Sequence, residues 1–239
     1  MRIAVVSDIH GNLRAFEAVL ADLRQTSPDL VLHGGDLADS GSSPAEIVDR
    51  IRDLGWAGVI GNTDEMLSTP EAFDTFAAQS RGLETLWNTL REMAAWTRDK
   101  LGDERLAWLR GLPHIQHHTT LSLLHAIPGN LWRAPMPEAT DDELHIAYES
   151  IATPTIVYGH VHRPYVRRLP GSIIANSGSV GLPHDGNTRA SYLLLDDSVP
   201  TIRRVEYDVH AELKALSASG LPHADWVARI LQCAVPQMP

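Results

Sequence analysis

The chain has 239 residues with 20 Lys and Arg against 30 Asp and Glu, a formal charge of −10, twelve His and one Cys. Hydrophobic content of 44% with 21% charged residues is that of a core-forming globular chain and excludes a disordered one. The acidic balance excludes a general polyanion-binding surface, and the lone Cys233 excludes an internal disulfide, a thiolate zinc site and an iron–sulfur cluster.

The elements alternate from the start. Arg2 to Ser7 reads as a buried strand, and Leu13, Phe16, Val19, Leu20 and Leu23 share one face of a following helix with Asn12 as N-cap. Leu30 to His33 is the second strand. Its helix opens with Ser43, Pro44 and Glu46, a pattern that predicts a capping box, and Trp56 to Ile60 is the third strand. Short apolar strands joined by helices indicate βαβαβ units and a largely parallel sheet. From Glu71 to Leu112 the pattern is helical with a break near Gly102. Leu121 to His125 is a strand, Thr140 to Ile151 a helix opened by Thr140 and Glu143, and Thr155 to Tyr158 another strand. Turns rich in Gly, Pro and Asp then separate short strands from Tyr165 to Val205, which reads as hairpins rather than further βα units. A helical tail is expected over about 208–235.

No repeat, low-complexity segment or linker interrupts the chain, so a single domain over 1–239 is expected. The apolar run Ile3 to Val6 is too short for a signal-peptide core, and no stretch of about 18 apolar residues occurs. The expected location is cytoplasmic, with no membrane partner. A homo-oligomer is compatible with the composition.

Chemistry concentrates directly after predicted strands. Asp8-Ile9-His10, Gly35-Asp36, Gly61-Asn62, His125 and Gly159-His160-Val161-His162 all lie there, and in α/β sheets the loops beyond the carboxyl ends of parallel strands line the ligand crevice. Two Asp, one Asn and four His make seven oxygen and nitrogen donors. One metal ion takes roughly four to six ligands including water, so seven donors point to two ions sharing a bridging carboxylate. With no thiolate among them, the set suits Mn, Fe, Co, Ni or Zn in a reactive centre rather than a structural zinc site.

These residues resemble the calcineurin-like metallophosphoesterases. The ordered blocks D-x-H, G-D, G-N, H and G-H-x-H occur as Asp8/His10, Asp36, Asn62, His125 and His160/His162, spanning residues 1–196. The stretch from Gly159 to Asp196 is similar to the small bacterial and archaeal phosphodiesterase branch. The resemblance implies a four-layer α/β/β/α sandwich with two mixed sheets, the hairpin-rich half supplying the second. It implies one divalent ion on Asp8, His10, Asp36 and His162 and another on Asp36, Asn62, His125 and His160. The implied reaction is hydrolysis of a phosphoester by in-line attack of a metal-bridging hydroxide, with no Ser or Cys nucleophile.

One position departs from the family. Many members carry His after Gly-Asn, where it protonates the leaving group; here Thr63 stands there, followed by Asp64. General acid catalysis is worth roughly 100- to 10,000-fold, so the expectation is a phosphodiester or an activated leaving group, or metal-bound water acting as the acid, with Thr63 and Asp64 near the leaving group. Nucleic acid stays open as a substrate, although the chain offers no basic surface. Two other readings compete. A catalytically degenerate scaffold could use the metals to bind a nucleotide or protein partner. Metal amidohydrolases also use an early H-x-H but need a longer (β/α)₈ barrel and commonly a carbamylated Lys, and neither Lys100 nor Lys214 ends a strand.

The remaining His are expected on the surface or in packing, with His33 and His184 the two close enough in sequence to motif loops to reach substrate. Gly178-Ser179-Val180-Gly181 lacks the P-loop Lys and reads as a turn near the site. Arg163, Arg167 and Arg168 are either a steering cluster for an anion or a solvated strand face. Trp132 either packs under its loop or stacks on a base.

Overall fold

Arg2–Val6 forms β1, and its period-two alternation divides its side chains between two cores: Ile3 and Val5 face one, Ala4 and Val6 the other. The computed structural model describes residues 1–79 and 82–239. After β1 come α1 (Leu13–Thr26), β2 (Leu30–His33), α2 (Pro44–Leu54), β3 (Ala57–Gly58), α3 (Asn62–Ser68), α4 (Pro70–Ala77) and α5 (Glu84–Arg110). The second half holds β4 (Ile115–His117), β5 (Leu121–Leu124), α6 (Asp141–Tyr148), β6 (Thr155–Tyr158), β7 (Tyr165–Leu169) and β8 (Ser172–Asn176). β9 (Ala190–Asp196), β10 (Val199–Val205), α7 (Val209–Ser219) and α8 (Ala224–Cys233) complete the chain.

Among the described residues the strands form two mixed sheets of five, ordered β10-β9-β1-β2-β3 and β4-β5-β6-β8-β7. Ile3, Val5, Leu32 and Leu193 of the first sheet meet Leu121, Leu123, Val157 and Ala175 of the second, making the core between them. Helices α1 to α5 cover the outer face of the first sheet through Phe16, Val19, Ile47, Ile51, Phe73 and Leu109. α6 covers the outer face of the second through Leu144 and Tyr148. The result is the expected four-layer α/β/β/α sandwich. No helix among the described residues is long and apolar enough to cross a membrane.

Several local expectations change in the structure. The hairpins divide between the sheets: β9–β10 joins the first sheet, where β9 runs antiparallel to β1, and only β7–β8 belongs to the second. The third strand shrinks to two residues, with Gly58 pressed so close to the His33 ring that a Cβ there would collide with it. Ser43 caps α2 in position but not in bonding, since its hydroxyl lies 3.3 Å from that of Ser42. Thr140 and Glu143 do form the reciprocal box. The helical stretch 71–112 resolves into α4 and α5, with Gly102 non-helical at φ 68°; residues 80 and 81 lie outside the described residues.

Asp22 ties α1 to the hairpin. Its carboxylate accepts hydrogen bonds from Tyr192 Oη at 2.7 Å and from the Arg203 guanidinium at 2.9 Å, and although burial opposes it, these partners hold the carboxyl below its ordinary value. A lowered folded-state pKa adds stability above the unfolded value of about 3.9, lost as pH falls through the folded one. Asp22→Ala is therefore expected to cost about 1–2 kcal/mol at pH 7 and progressively less below pH ~4, by urea melts across pH.

Candidate metal centre

Register decides where the motif loops meet. β1 pairs in parallel with β2 so that Val6 lies beside His33, and β5 pairs in parallel with β6 so that Leu124 lies beside Tyr158. The loops after these strands therefore leave the sandwich at one edge. They are laced together there: Asp8 N–H donates to Gly35 O at 3.0 Å, His10 N–H to Asp36 O at 3.0 Å, and Gly159 N–H to His125 O at 3.0 Å.

Five of the seven expected donors sit in the left-handed region: Asp8 (φ 56°), His10 (50°), Asp36 (53°), His160 (67°) and His162 (56°). Such backbone is uncommon outside glycine and costs roughly 1–2 kcal/mol per residue, so the surrounding structure must impose it. Part of that imposition comes from the 178–181 loop. Val180 and Gly181 donate their N–H groups to Ser7 and Asp8 carbonyls, and Ser179 Oγ donates to Asp8 O at 2.7 Å. Two glycines serve by their size: a Cβ on Gly61 would collide with the Asp36 carboxylate, and one on Gly159 with the Ser7 hydroxyl.

The imidazoles are fixed by carbonyl oxygens, which only accept hydrogen bonds. His10, His125 and His162 donate from Nδ1 to the carbonyls of Asp39 (3.0 Å), Gly34 (2.8 Å) and Leu182 (2.6 Å), so in each neutral ring Nε2 carries the lone pair. Those lone pairs meet other acceptors. Nε2 of His10 and His162 lie 3.1 Å apart, and Nε2 of His125 lies 2.9 Å from the Asn62 side-chain oxygen, itself 2.8 Å from His160 Nδ1. Facing acceptors repel unless a proton or a cation lies between them.

Carboxylates supply the matching attraction. Asp36 Oδ2 lies 3.7 Å from His10 Nε2 and 3.5 Å from His125 Nε2, between the two groups, and Asp8 Oδ1 lies 3.2 Å from His162 Nε2. Burial lowers imidazole pKa, yet the charges of Asp36 and Asp8 raise those of His125 and His162 above the ordinary value. The same burial dominates at His160, which falls to about 4. Asp8, His10, Asp36 and His162 are all buried and offer donor atoms within 4.8 Å of one another, a group able to hold a metal ion. An oxygen and imidazole donor set without thiolate fits a divalent transition ion.

Of the two residues after Asn62, Thr63 lines the cavity and Asp64 does not. Asp64, expected near the leaving group, is fully buried: Oδ2 accepts from the Asp36 (2.8 Å) and Gly61 (3.0 Å) N–H groups and Oδ1 from Leu37 (3.0 Å). Burial and the Asp36 charge push its carboxyl up to about 7, against the pull of these donors. Its task is to pin the Asp36 loop to the start of α3. Thr63 does line the site cavity; its N–H donates to Asp36 Oδ1 at 2.9 Å, and its buried Oγ1 has no hydrogen-bond partner among the described residues.

The cavity over the donors encloses about 410 Å³. His184 lines it and stacks on His162 at 4.4 Å, with burial pushing its imidazole down to about 2; His33 is buried away from it. Arg163 and Arg167 are committed to Glu138 and Asp141 and do not line it. Trp132 stacks on Phe76 at 4.7 Å and donates Nε1–H to Glu65 at 2.8 Å, which supports packing under its loop. The opposite cavity wall, from α5, α8 and the terminal segment, had no motif to announce it.

Comparison with known proteins places this architecture. The calcineurin-like phosphoesterase superfamily domain matches residues 1–198. An uncharacterised protein of Methanocaldococcus jannaschii is 31% identical over 253 aligned positions, covering 96% of both chains. A metallophosphoesterase from Sphaerobacter thermophilus superposes with a TM-score of 0.81 at 27% identity, covering 98% of this chain and 100% of that one. A hypothetical protein from Pyrococcus horikoshii shares the fold with a TM-score of 0.82 at 18% identity, over 96% and 97% of the two chains.

Proposed function

The chain belongs to the calcineurin-like phosphoesterase superfamily, and from that premise we propose that it is a phosphodiesterase working with two divalent metal ions. The observation that carries the reading is the set of acceptors turned toward one another at 3.1 and 2.9 Å in a buried pocket. One ion would be held by Asp8, His10, Asp36 and His162 and the other by Asp36, Asn62, His125 and His160. The position of Asp36 Oδ2 between His10 and His125 supports its bridging role. Bound there, the ions would supply an acidified water as nucleophile and neutralise charge growing on the phosphoryl oxygens.

The protein's own contribution is orientation. The carbonyls of Asp39, Gly34 and Leu182 hold three imidazoles with Nε2 toward the other donors, and Asn62 presents its oxygen from the first turn of α3. Two divalent cations outweigh the carboxylates of Asp8 and Asp36, so an acidic chain still presents an anion-attracting pocket. Thr63 sets the substrate preference. Its hydroxyl does not protonate a leaving group at neutral pH as imidazole does, which favours diesters and good leaving groups. The test is hydrolysis of bis(p-nitrophenyl) phosphate against p-nitrophenyl phosphate with Mn²⁺. The diester is expected to turn over faster; a strong preference for the monoester would contradict the diester assignment.

A further inference from the structure

The cavity over the metal donors has two unlike sides. One is the donor set. The other is Leu86 and Leu90 from α5, Trp226 and Ile230 from α8, and Met238 from the terminal segment. Pro236 and Gln237 complete that side, so none of its residues is charged. Asp39, a further carboxylate at the cavity, is fully buried and accepts hydrogen bonds from the Ser40 and Thr97 hydroxyls.

This wall is anchored rather than draped. Trp226 Nε1–H donates to the Gln237 carbonyl at 2.9 Å, and Gly186 N–H to the Ala234 carbonyl at 2.9 Å. Val227, Ile230 and Leu231 pack with Met93 of α5 and Leu216 of α7. The α8 and terminal parts lie beyond residue 198, where the family match ends, so the family domain supplies the metal donors and the C-terminal segment supplies much of what faces them.

Resting on the phosphoesterase reading, we infer that this wall binds an uncharged aryl or alkyl substituent of the phosphoester. A second phosphate or a cationic head group would find no opposite charge there and would lose its hydration without replacement. An aromatic or aliphatic group gains by leaving water, and the half-buried Trp226 ring offers it a face. A cavity of about 410 Å³ holds a phosphoryl group together with one such substituent.

Two measurements on the Mn²⁺-loaded full chain test this. By calorimetry, phenylphosphonate is expected to bind roughly 10- to 100-fold tighter than methylphosphonate. In kinetics, phenyl p-nitrophenyl phosphate is expected to exceed methyl p-nitrophenyl phosphate in kcat/KM by a similar ratio, the leaving group being the same. Trp226→Ala and Leu86→Ser, on separate elements, should each reduce both ratios by about fivefold or more. Because the readout is a ratio within one variant, partial loss of folded protein cancels. Binding and kcat/KM ratios both within about threefold of unity in the wild type, or ratios unmoved in both variants, would overturn the inference. A phenylphosphonate preference without turnover of either diester would support the wall and count against the hydrolytic reading. Turnover of both diesters with equal ratios would do the reverse.

Discussion

Replacing Asp36 by Asn is expected to lower diester hydrolysis by at least about 1,000-fold and to take metal content below one ion per chain, with little change in fold. The carboxylate stands between His10 Nε2 and His125 Nε2, at 3.7 and 3.5 Å, and is the donor that the two proposed groups share. Asn keeps the shape and leaves one oxygen, but removes the negative charge that two cations would share. The Oδ1 acceptor for Thr63 N–H can be preserved, so α3 should stay in place. Elemental analysis and bis(p-nitrophenyl) phosphate kinetics on the same preparation check both arms, and full activity in Asp36→Asn would exclude the proposed use of the site.

Asp64→Ala acts differently, through the scaffold. Removing that carboxylate strands the N–H groups of Asp36, Leu37 and Gly61 in a buried pocket, each costing about 1–3 kcal/mol when unpaired. The expected loss is about 3–5 kcal/mol, near 10 °C in Tm for a chain of this size. Asp64→Asn keeps one acceptor oxygen and should lose less. Thermal melts of the two variants order them, and an Asp64→Ala protein as stable as wild type would contradict the pinning role.

The sequence read furthest where structure is local. β2 and β6 begin and end where their apolar runs do, Asn12 caps α1 by accepting from Ala15 N–H, and Gly102 breaks α5 at a positive φ. The motif donors were legible because each follows a strand, and parallel pairing of β1 with β2 and of β5 with β6 brings those ends together. What escaped depends on distant contacts. Pairing of β9 with β1 links residues nearly two hundred positions apart, for which a local alternation carries no register. The start of α3 depends on Asp64, which accepts from backbone at its own N-terminus and across at Asp36. His184 is named in the sequence by its nearness to a motif loop, whereas its stacking on His162 and the apolar wall formed by docking of α8 have no local signal.

Two ions are proposed to act together between these donors. The most direct measurement of this is stepwise addition of Mn²⁺ to chelator-stripped protein, with ions bound per chain and bis(p-nitrophenyl) phosphate hydrolysis followed in parallel. No turnover is expected without metal, with a rate that climbs with the second equivalent and stops at two ions per chain. Full turnover by the stripped protein, or a rate that saturates with a single ion bound, would contradict it.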